Sequence, residues 1–250
     1  MQDVTRDKFL GGRLVLAQPR KGYRAGVDPV ILAASVPAKD GQRVLDLGCG
    51  VGAAGLCLAA RVPGVQLWGL EVQPEYAALA RENAAALGGV MQVVVGDLAQ
   101  MPAALREVQF DHVIANPPYF RRDASSTAPD AGRERAMGEA TPLEDWVKAA
   151  ARRVAPGGYV TFIQRAERLP ELMALMQARL GSLQLLPLFP RTGREAQLVL
   201  LRGRKNGRAD FRLMAGVAMH RGVRHVSDCE DYSPLMSDVL RAGAALPFPT

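Results

Sequence analysis

The stretch Asp46-Leu47-Gly48-Cys49-Gly50-Val51-Gly52 decides the fold of this chain. It joins a short apolar run, Val44–Leu47, to a segment of small residues with helical spacing, Ala53–Arg61. Glycines permit a positive φ and let a ligand approach without a Cβ in the way, and a helix that follows them presents unpaired N–H groups at its N-terminus. The stretch therefore predicts a strand, a tight turn and a helix that form a nucleotide-type binding site.

Further apolar runs alternate with segments of helical period along the chain. Those predicted to be buried strands are Val65–Leu70, Met91–Val95, Val113–Ala115 and Tyr159–Ile163. This alternation is typical of a parallel sheet with crossover helices on both faces. The runs Leu183–Phe189 and Ala196–Leu201 flank a turn and predict an antiparallel hairpin. We therefore expect an α/β fold with a mostly parallel, seven-stranded sheet and an antiparallel hairpin edge.

Two later segments complete this outline. Thr141, Pro142 and Glu144 match a capping box with a first-turn proline, so they predict the start of a helix. A second helix is expected over 168–180. The polar segment 120–141 is expected to be a long loop, which we interpret as a lid that orders over substrate.

Three carboxylates stand where a cofactor bound at the glycine turn would need them. Asp46 lies two residues before Gly48, and Glu71 ends the next strand, nineteen residues past Gly52. Asp97 ends the third strand. Glu71 can accept hydrogen bonds from both hydroxyls of a ribose. Asp97 can accept a hydrogen bond from an exocyclic adenine amine or bind the ribose. Asp46 can bind an amino group, directly or through water.

The sequence Gly50-Val51-Gly52-Ala53-Ala54-Gly55 also matches Gly-x-Gly-x-x-Gly, the dinucleotide fingerprint of NAD enzymes. Three features favour S-adenosylmethionine instead: the acid before the first glycine, the hairpin that ends the sheet, and a methyl-transfer motif after the fourth strand. The expected cofactor-binding residues are Asp46, Gly48, Gly50, Gly52, Glu71 and Asp97.

The methyl-transfer motif is Asn116-Pro117-Pro118-Tyr119, at the end of the strand Val113–Ala115. Ligands bind at the carboxyl ends of parallel strands, so the motif and the cofactor should meet. The side-chain oxygen of Asn116 and the carbonyl of Pro117 can each accept one N–H of a conjugated amine, which aims the nitrogen lone pair at a methyl group. Pro118 adds rigidity, and Tyr119 offers a face for stacking the target group.

These residues resemble the class I methyltransferases that carry Asn-Pro-Pro-Tyr and act on amino nitrogens. Within that group the chain is similar to the bacterial valine-tRNA adenine-N6 methyltransferases, which modify an adenine beside the anticodon. The matching stretches, besides the motifs above, are Gly26-Val27-Asp28-Pro29, Gly96-Asp97, Arg133-Glu134-Arg135, Pro156-Gly157-Gly158 and Asp231-Tyr232-Ser233. The resemblance implies a Rossmann-like fold, S-adenosyl-L-methionine as cofactor and tRNA as substrate.

The resemblance also brings Asp28 and Asn116 among the residues expected to contact the cofactor. The family commonly has Gly-Thr-Asp where this chain has Val27 before Asp28, so a hydroxyl is lost. Asp28 followed by Pro29 equally predicts a helix N-cap and a first-turn proline. Cofactor contact and helix capping are thus both open for Asp28.

The positive charge of the chain is concentrated in one stretch. Its 31 basic and 25 acidic residues give a net charge of +6, and the stretch from Arg202 to Arg224 alone sums to +6. Such a stretch is a footprint for a polyanion. It predicts that tRNA binds through Arg202, Arg204, Lys205, Arg208 and Arg212.

Composition excludes several other classes of protein. Hydrophobic residues make up 48% and charged residues 22% of the chain, which is typical of a globular protein. No apolar run is long enough for a membrane span, and three cysteines without a Cys-x-x-Cys pair favour neither disulfides nor a metal site. We expect a cytoplasmic protein without a metal or a membrane partner; the oligomeric state stays open.

The same features suggest one continuous domain. Residues 1–42 are expected to be an extension packed on the core, 43–202 the class I methyltransferase core, and 203–250 a basic segment and a C-terminal helix of the same domain. Two alternatives stay open from the residues: a protein glutamine N5-methyltransferase, which normally carries a longer N-terminal domain, and an NAD(P)-dependent oxidoreductase. A nucleic-acid-binding protein with a degenerate enzyme fold is a third.

Overall fold

The computed structural model describes residues 3–119, 141–224, 230–246 and 248. Residues 120–140 of the predicted lid, which include Arg133-Glu134-Arg135, lie outside these ranges, as does Cys229. The strands are β1 (Val4–Phe9), β2 (Leu14–Pro19), β3 (Arg43–Leu47), β4 (Gln66–Glu71), β5 (Met91–Val95), β6 (Phe110–Ala115), β7 (Val154–Arg165), β8 (Gly181–Phe189), β9 (Leu198–Arg204), β10 (Arg212–Leu213) and β11 (Val217–Ala218). The α-helices are α1 (Asp28–Ser35), α2 (Ala53–Arg61), α3 (Pro74–Ala85), α4 (Ala103–Arg106), α5 (Leu143–Arg153), α6 (Leu169–Gln177) and α7 (Pro234–Ser237).

The main sheet has the strand order β10-β8-β9-β7-β6-β3-β4-β5, and β11 also pairs with β8. Strands β3 to β7 pair in parallel with their neighbours, while β9 lies antiparallel between β7 and β8. The mostly parallel sheet and its hairpin are therefore confirmed. The two short strands β10 and β11 extend the edge beyond the seven predicted strands, because two residues each carry no pattern of alternation.

Helices cover both faces of this sheet, as predicted. One apolar cluster packs α1, α2 and α3 against the sheet around Leu32, Leu56 and Leu79. The other packs α5 and α6 against the opposite face, around Val147, Phe162 and Leu172. Burying each such side chain stabilises the fold by about 2 kcal/mol, so the crossover helices hold the strand ends in place. No helix within the described ranges is long and apolar enough to cross a membrane.

The N-terminal ribbon β1–β2 is joined to the glycine turn through Asn83 of α3. The Oδ1 atom of this buried side chain accepts from Ala17 N at 2.7 Å, while its Nδ2 atom donates to the carbonyls of Ala17 at 3.1 Å and Val51 at 3.0 Å. Leu14 and Leu16 of β2 are buried in the same apolar cluster as α1 and α2. The ribbon therefore packs next to the cofactor turn.

The start of α5 differs from the prediction. Pro142 takes the N-cap position with extended backbone, and no side chain caps the helix, so the Thr141–Glu144 capping box is wrong. Glu144 instead lies 3.0 Å from the Nζ atom of Lys148 and 3.1 Å from a guanidinium nitrogen of Arg179. The N-cap is therefore Pro142, one residue later than the predicted Thr141, and the threonine lies outside the helix.

Candidate active site

The predicted site residues converge at one edge of the sheet. The strands β3, β4, β5 and β6 run parallel, so their carboxyl ends deliver the glycine turn, Glu71, Asp97 and Asn116 to the same side. Gly96 N donates to the Glu71 carbonyl at 2.9 Å and Cys49 N to the Leu70 carbonyl at 3.0 Å. These bonds fix the strand ends relative to one another.

The three glycines of the turn have different tasks. Gly48, Gly50 and Gly52 all have positive φ, of 64°, 56° and 86°. A Cβ on Gly48 would lie 2.3 Å from the Trp146 ring, and one on Gly52 would lie 3.3 Å from Leu56. On Gly50 the nearest atom is 4.0 Å away, in the Tyr23 ring. Gly48 and Gly52 therefore allow close packing, whereas Gly50 leaves open space for a ligand.

Glu71 is held at that open space. Its Oε2 atom accepts from Gly50 N and its Oε1 atom from Gln73 N, both at 2.9 Å. Burial raises the pKa of this carboxyl, and the backbone N–H donors oppose the rise. Each carboxylate oxygen has a further lone pair, so Glu71 can still accept ribose hydroxyls.

Asp46 lies under the start of α2. Its Oδ2 atom accepts from Gly55 N at 3.2 Å, and only 3% of the residue is exposed. Burial raises its pKa to about 7, helped by the negative charge of Glu71 and opposed by the Gly55 bond. A nearby cationic amino group would favour the charged form. Asp46 thus supports the glycine turn, and its contact with a cofactor stays a prediction.

Asp97 caps the 3-10 turn Leu98–Gln100. Its Oδ1 atom accepts from Ala99 N at 2.8 Å. The residue is half-buried and lies two positions past Val95, the last residue of β5. One oxygen is thus used locally, and the other remains able to accept from a bound nucleoside.

Asn116 presents an acceptor without a partner. Its Nδ2 atom donates to the hydroxyl of Tyr23 at 3.4 Å, whereas its buried Oδ1 atom has no hydrogen-bond partner among the described residues. Tyr76 fixes the backbone of Tyr23, since its hydroxyl accepts from Tyr23 N at 2.8 Å and donates to Tyr23 O at 3.2 Å. A buried acceptor without a donor is costly, and a substrate N–H would satisfy it.

Tyr119 contacts Asp28, and this contact corrects one prediction. The hydroxyl of Tyr119 donates to the Oδ2 atom of Asp28, and the guanidinium of Arg165 lies 5.8 Å from the centre of the Tyr119 ring. Asp28 is the first residue of α1 and Val27 takes the N-cap position, with no side-chain cap bond. The prediction that Asp28 caps α1 is therefore wrong, because its carboxylate accepts a hydrogen bond from Tyr119 instead. Its contact with a cofactor stays a prediction.

Three residues that complete this site were missed in the sequence. Tyr23 orients Asn116, Trp146 covers Gly48, and Arg165 faces Tyr119. None belongs to a local motif, and each reaches the site from another element. An aromatic residue shortly before Gly26-Val27-Asp28-Pro29 is the only local signal for Tyr23.

The donor set fits S-adenosylmethionine. The open space at Gly50 suits a backbone approach, the carboxylate of Glu71 suits a ribose, and Asp46 suits a cationic amino group. Pro117 and Pro118 follow β6 at the same edge, next to Asn116. Within the described ranges no group of three His, Cys, Asp or Glu side chains could hold a metal ion.

Arg202 does not belong to a tRNA surface. It is 1% exposed, its Nη2 atom donates to the carbonyl of Ser35, and its guanidinium lies 4.0 Å from the centre of the Phe248 ring. The predicted contact with tRNA is therefore wrong, since both faces of β9 are covered up to Gly203 and the Arg202 side chain is buried. Arg208 and Arg212 are exposed, as is Arg204.

Known proteins share this architecture and these motifs. A family described as the methyltransferase small domain matches residues 26–186. A tRNA1(Val) (adenine(37)-N6)-methyltransferase of Porphyromonas gingivalis is 32% identical over 200 residues, which cover 72% of this chain and 76% of that protein. A protein of the same name from Aeromonas hydrophila is 31% identical over 185 residues, covering 73% and 77%.

Solved structures agree with this grouping. A predicted O-methyltransferase from Agrobacterium tumefaciens has a TM-score of 0.70 and 28% identity, covering 88% of this chain and 98% of that one. A 16S rRNA N2 G1207 methyltransferase from T. thermophilus, in complex with AdoMet and guanosine, has a TM-score of 0.57 and 20% identity, covering 82% and 51%, and shares the fold. This chain therefore belongs to the methyltransferase small domain family and is a class I methyltransferase that uses S-adenosyl-L-methionine.

Proposed function

We propose that this enzyme transfers a methyl group to N6 of an adenine in tRNA, at adenine 37 of tRNA1(Val). The observation that carries the proposal is the unpartnered Oδ1 atom of Asn116, which lies at the edge where the cofactor turn lies. The names of relatives that share about 30% identity over most of the chain give the substrate. A tRNA substrate also agrees with a cytoplasmic enzyme.

The chemistry required at N6 is alignment of a weak nucleophile. The lone pair of an exocyclic amine is delocalised into the purine ring, and two hydrogen-bond acceptors favour the pyramidal nitrogen instead. Asn116 Oδ1 is one acceptor and the Pro117 carbonyl is the other, held outward by the fixed φ of the proline. These acceptors also stabilise the positive charge that develops on the nitrogen.

S-adenosylmethionine, when bound, supplies an electrophilic methyl group on a sulfonium. Glu71 and Asp97 hold its nucleoside in this proposal, and Asp46 its amino group. The residues of the site need no strong general base, because the amine gains acidity as it becomes positive and its proton can leave afterwards. Tyr23 is unsuited to remove that proton, since burial raises its pKa far above neutrality.

Tyr119 supports the target base in this proposal. A base in RNA must leave its stack to reach Asn116, and an aromatic ring stabilises the extruded base by stacking. The bond to Asp28 fixes the ring orientation, and the guanidinium of Arg165 adds a cation near the ring. Both contacts prepare the ring before substrate arrives.

Label transfer separates the substrate classes. The protein is incubated with radiolabelled S-adenosylmethionine and, separately, total tRNA, total protein or duplex DNA. Label in N6-methyladenine of tRNA supports the proposal. Label in glutamine of protein, which an Asn-Pro-Pro-Tyr site can also align, would overturn it, as would absence of label in all three pools.

The sequence predicts that the charge attracting tRNA lies between residues 202 and 224. With Arg202 excluded, Arg204, Lys205, Arg208 and Arg212 stay a prediction from the sequence. About six phosphate contacts would give a slope of about −4 when the logarithm of the binding constant is plotted against that of the salt concentration. A slope near −1 in a tRNA titration would contradict binding through this segment.

A further inference from the structure

The basic segment runs from one edge of the sheet to the other. Lys205 N donates to Gly158 O at 2.9 Å and Gly157 N to Lys205 O at 3.0 Å, which places this part beside the beginning of β7. The Nζ atom of Lys205 donates to Ala151 O at 2.6 Å, at the end of α5. This edge is the amino edge of the parallel strands, opposite the active site.

The distance between the two edges is large. In the pairing of β7 with β9, Arg204 lies opposite Tyr159 and Leu198 lies opposite Arg165. Arg165 faces Tyr119 in the active site. Six residues of strand separate the two pairs, a distance of about 20 Å. Arg204 and the residues that follow it therefore start far from the methyl-transfer motif.

The later part of the segment returns to the active-site edge. Val217 and Ala218 pair in parallel with Leu188 and Phe189 at the carboxyl end of β8. Beyond them, His220 N donates to the carbonyl of Pro190 at 3.1 Å. The residues after His220 thus lie next to the turn that joins β8 to β9.

Four arginines lie in the two segments that contact each other here, and we call them the carboxyl-edge rim: Arg191, Arg194, Arg221 and Arg224. Arg191 Nη1 donates to the carbonyl of Arg221 at 2.5 Å, which ties the turn to the segment. Arg221 Nε donates to the Tyr232 carbonyl at 3.0 Å. The rim is therefore anchored to β8 and to the segment before α7.

Acids lie on the same rim as well, among them Asp231 and Glu195, and Glu230 beside Asp231 pairs with Arg241. Asp231 contacts Arg191 at 2.5 Å and the Nδ1 atom of His220 at 2.6 Å, and Glu195 is exposed beside Arg194. The side chains of Arg194 and Arg224 are exposed, and no acceptor for their guanidinium groups is found within the described ranges. These guanidinium groups can therefore bind phosphate oxygens without first breaking an ion pair with a carboxylate.

We propose that the carboxyl-edge rim, rather than the amino-edge part of the basic segment, binds the phosphates of RNA that flank the target nucleotide. This rests on the proposed function. Only two strands, β7 and β9, lie between β8 and β6, and Asn116 directly follows β6. The separation of β6 and β8 is thus about 15 Å, which nucleotides next to the target can span.

A pair of charge-matched double variants tests the proposal. Arg194→Ala/Arg224→Ala removes two exposed arginines of the rim, and Arg43→Ala/Arg152→Ala removes two exposed arginines at the amino edge, outside the basic segment. For each, the dissociation constant of tRNA is measured by filter binding between 50 and 300 mM salt. The rim variant is expected to lose at least ten-fold affinity at 150 mM salt and to flatten the slope by about 1.5.

The amino-edge variant is expected to stay within about two-fold of the unmodified enzyme. Calorimetric affinity for S-adenosylmethionine should be unchanged in both variants, which shows that both fold. Equal losses in the two variants, or a larger loss at the amino edge, would overturn the rim proposal. So would unchanged binding by both. Failure of the unmodified enzyme to methylate tRNA would instead overturn the proposed function, so the two failures are distinguishable.

Discussion

Asn116 donates from its Nδ2 atom to the hydroxyl of Tyr23 at 3.4 Å, and its Oδ1 atom is left without a partner among the described residues. The nitrogen and the oxygen of the Asn116 side-chain amide therefore have different roles. The nitrogen fixes the orientation of the side chain, and in the proposed mechanism the oxygen accepts from an N–H of the substrate. The backbone of Tyr23 is in turn bonded to Tyr76 of α3, so the orientation depends on a helix that also borders the cofactor turn.

Replacing Asn116 removes the prepared acceptor. We expect Asn116→Ala to lower the rate of methyl transfer by at least about 10²-fold, since preorganised polar groups of this kind contribute that much to a transition state. The affinity for S-adenosylmethionine, measured by calorimetry, should stay within a few-fold. Near-normal turnover of the variant on tRNA would refute the role of Asn116.

Tyr23→Phe keeps the ring beside Gly50 and removes only the hydroxyl that orients Asn116. A neutral hydrogen bond contributes about 1 kcal/mol, so we expect kcat to fall about five-fold while cofactor affinity stays within two-fold. Tyr159→Phe, on β7 near the opposite edge, is the matched control and should leave kcat unchanged. A loss of cofactor affinity equal to the loss of kcat would assign Tyr23 to cofactor binding instead.

We expect Asp46 to make cofactor binding depend on pH. Burial raises its pKa to about 7, so the carboxyl of the free enzyme becomes charged as pH rises through 7. If the charge faces the cationic amino group, we expect affinity for S-adenosylmethionine to rise about five-fold between pH 6 and pH 7.5. Asp46→Asn should remove this rise. Equal calorimetric affinities at the two pH values in the unmodified enzyme would contradict the assignment.

The raised pKa of Asp46 also makes the folded protein less stable as pH rises. The folded pKa lies above the unfolded value of about 3.9, so the folded state holds the proton more tightly. The stability contributed by the neutral carboxyl is full below about pH 4 and is lost as pH rises to about 7. Asp46→Asn should therefore unfold at a higher temperature than the unmodified enzyme at pH 8 without cofactor, and at a similar temperature at pH 4.

Much of the fold could be predicted because the sheet is buried on both faces. The run Val113–Ala115 in β6, for example, is continuously apolar and fully buried, and the glycine turn after β3 fixes the crossover that follows. The short strands β10 and β11 could not be predicted, since they exist only through pairing with β8. The start of α5 was misplaced because Pro142 and Thr141 compete for the same cap position.

The site was predictable where chemistry is local in sequence. Asn116 and Glu71 each end a strand, and a strand end has a known place in a parallel sheet. Tyr23 and Arg165 were not predictable, because each reaches the site from a different element. Arg202 was assigned to the surface from its charged neighbours, although β9 is covered on both faces and Arg202 is buried with the residues before it.

A conservative substitution at Asp28 tests whether this residue contacts the cofactor. In the structure its carboxylate accepts a hydrogen bond from the Tyr119 hydroxyl. Asp28→Asn should weaken this bond, leave the Tyr119 ring less well oriented and raise KM for tRNA several-fold. Tyr119→Phe removes the same bond from the other side and should give a similar change. Cofactor affinity should be unaltered in both. If Asp28→Asn alone weakens binding of S-adenosylmethionine more than five-fold, Asp28 contacts the cofactor.

Arg202 should matter for stability and not for RNA. Its guanidinium lies against Phe248 and donates to Ser35, while its Nε and Nη1 atoms have no partner among the described residues. Burial also lowers its pKa to about 10, which reflects the cost of a charge in this place. Arg202→Met fills the volume without that charge and is expected to change the free energy of unfolding by less than about 1 kcal/mol.

Arg202→Ala leaves a cavity at the same position and should cost about 3 kcal/mol. Denaturant titration of the two variants measures the difference. Arg202→Met should bind tRNA with the same salt slope as the unmodified enzyme, because a side chain that is 1% exposed reaches no phosphate. A slope flattened by about 0.7 in Arg202→Met, the contribution of one phosphate contact, would mean that Arg202 leaves its buried place when tRNA binds.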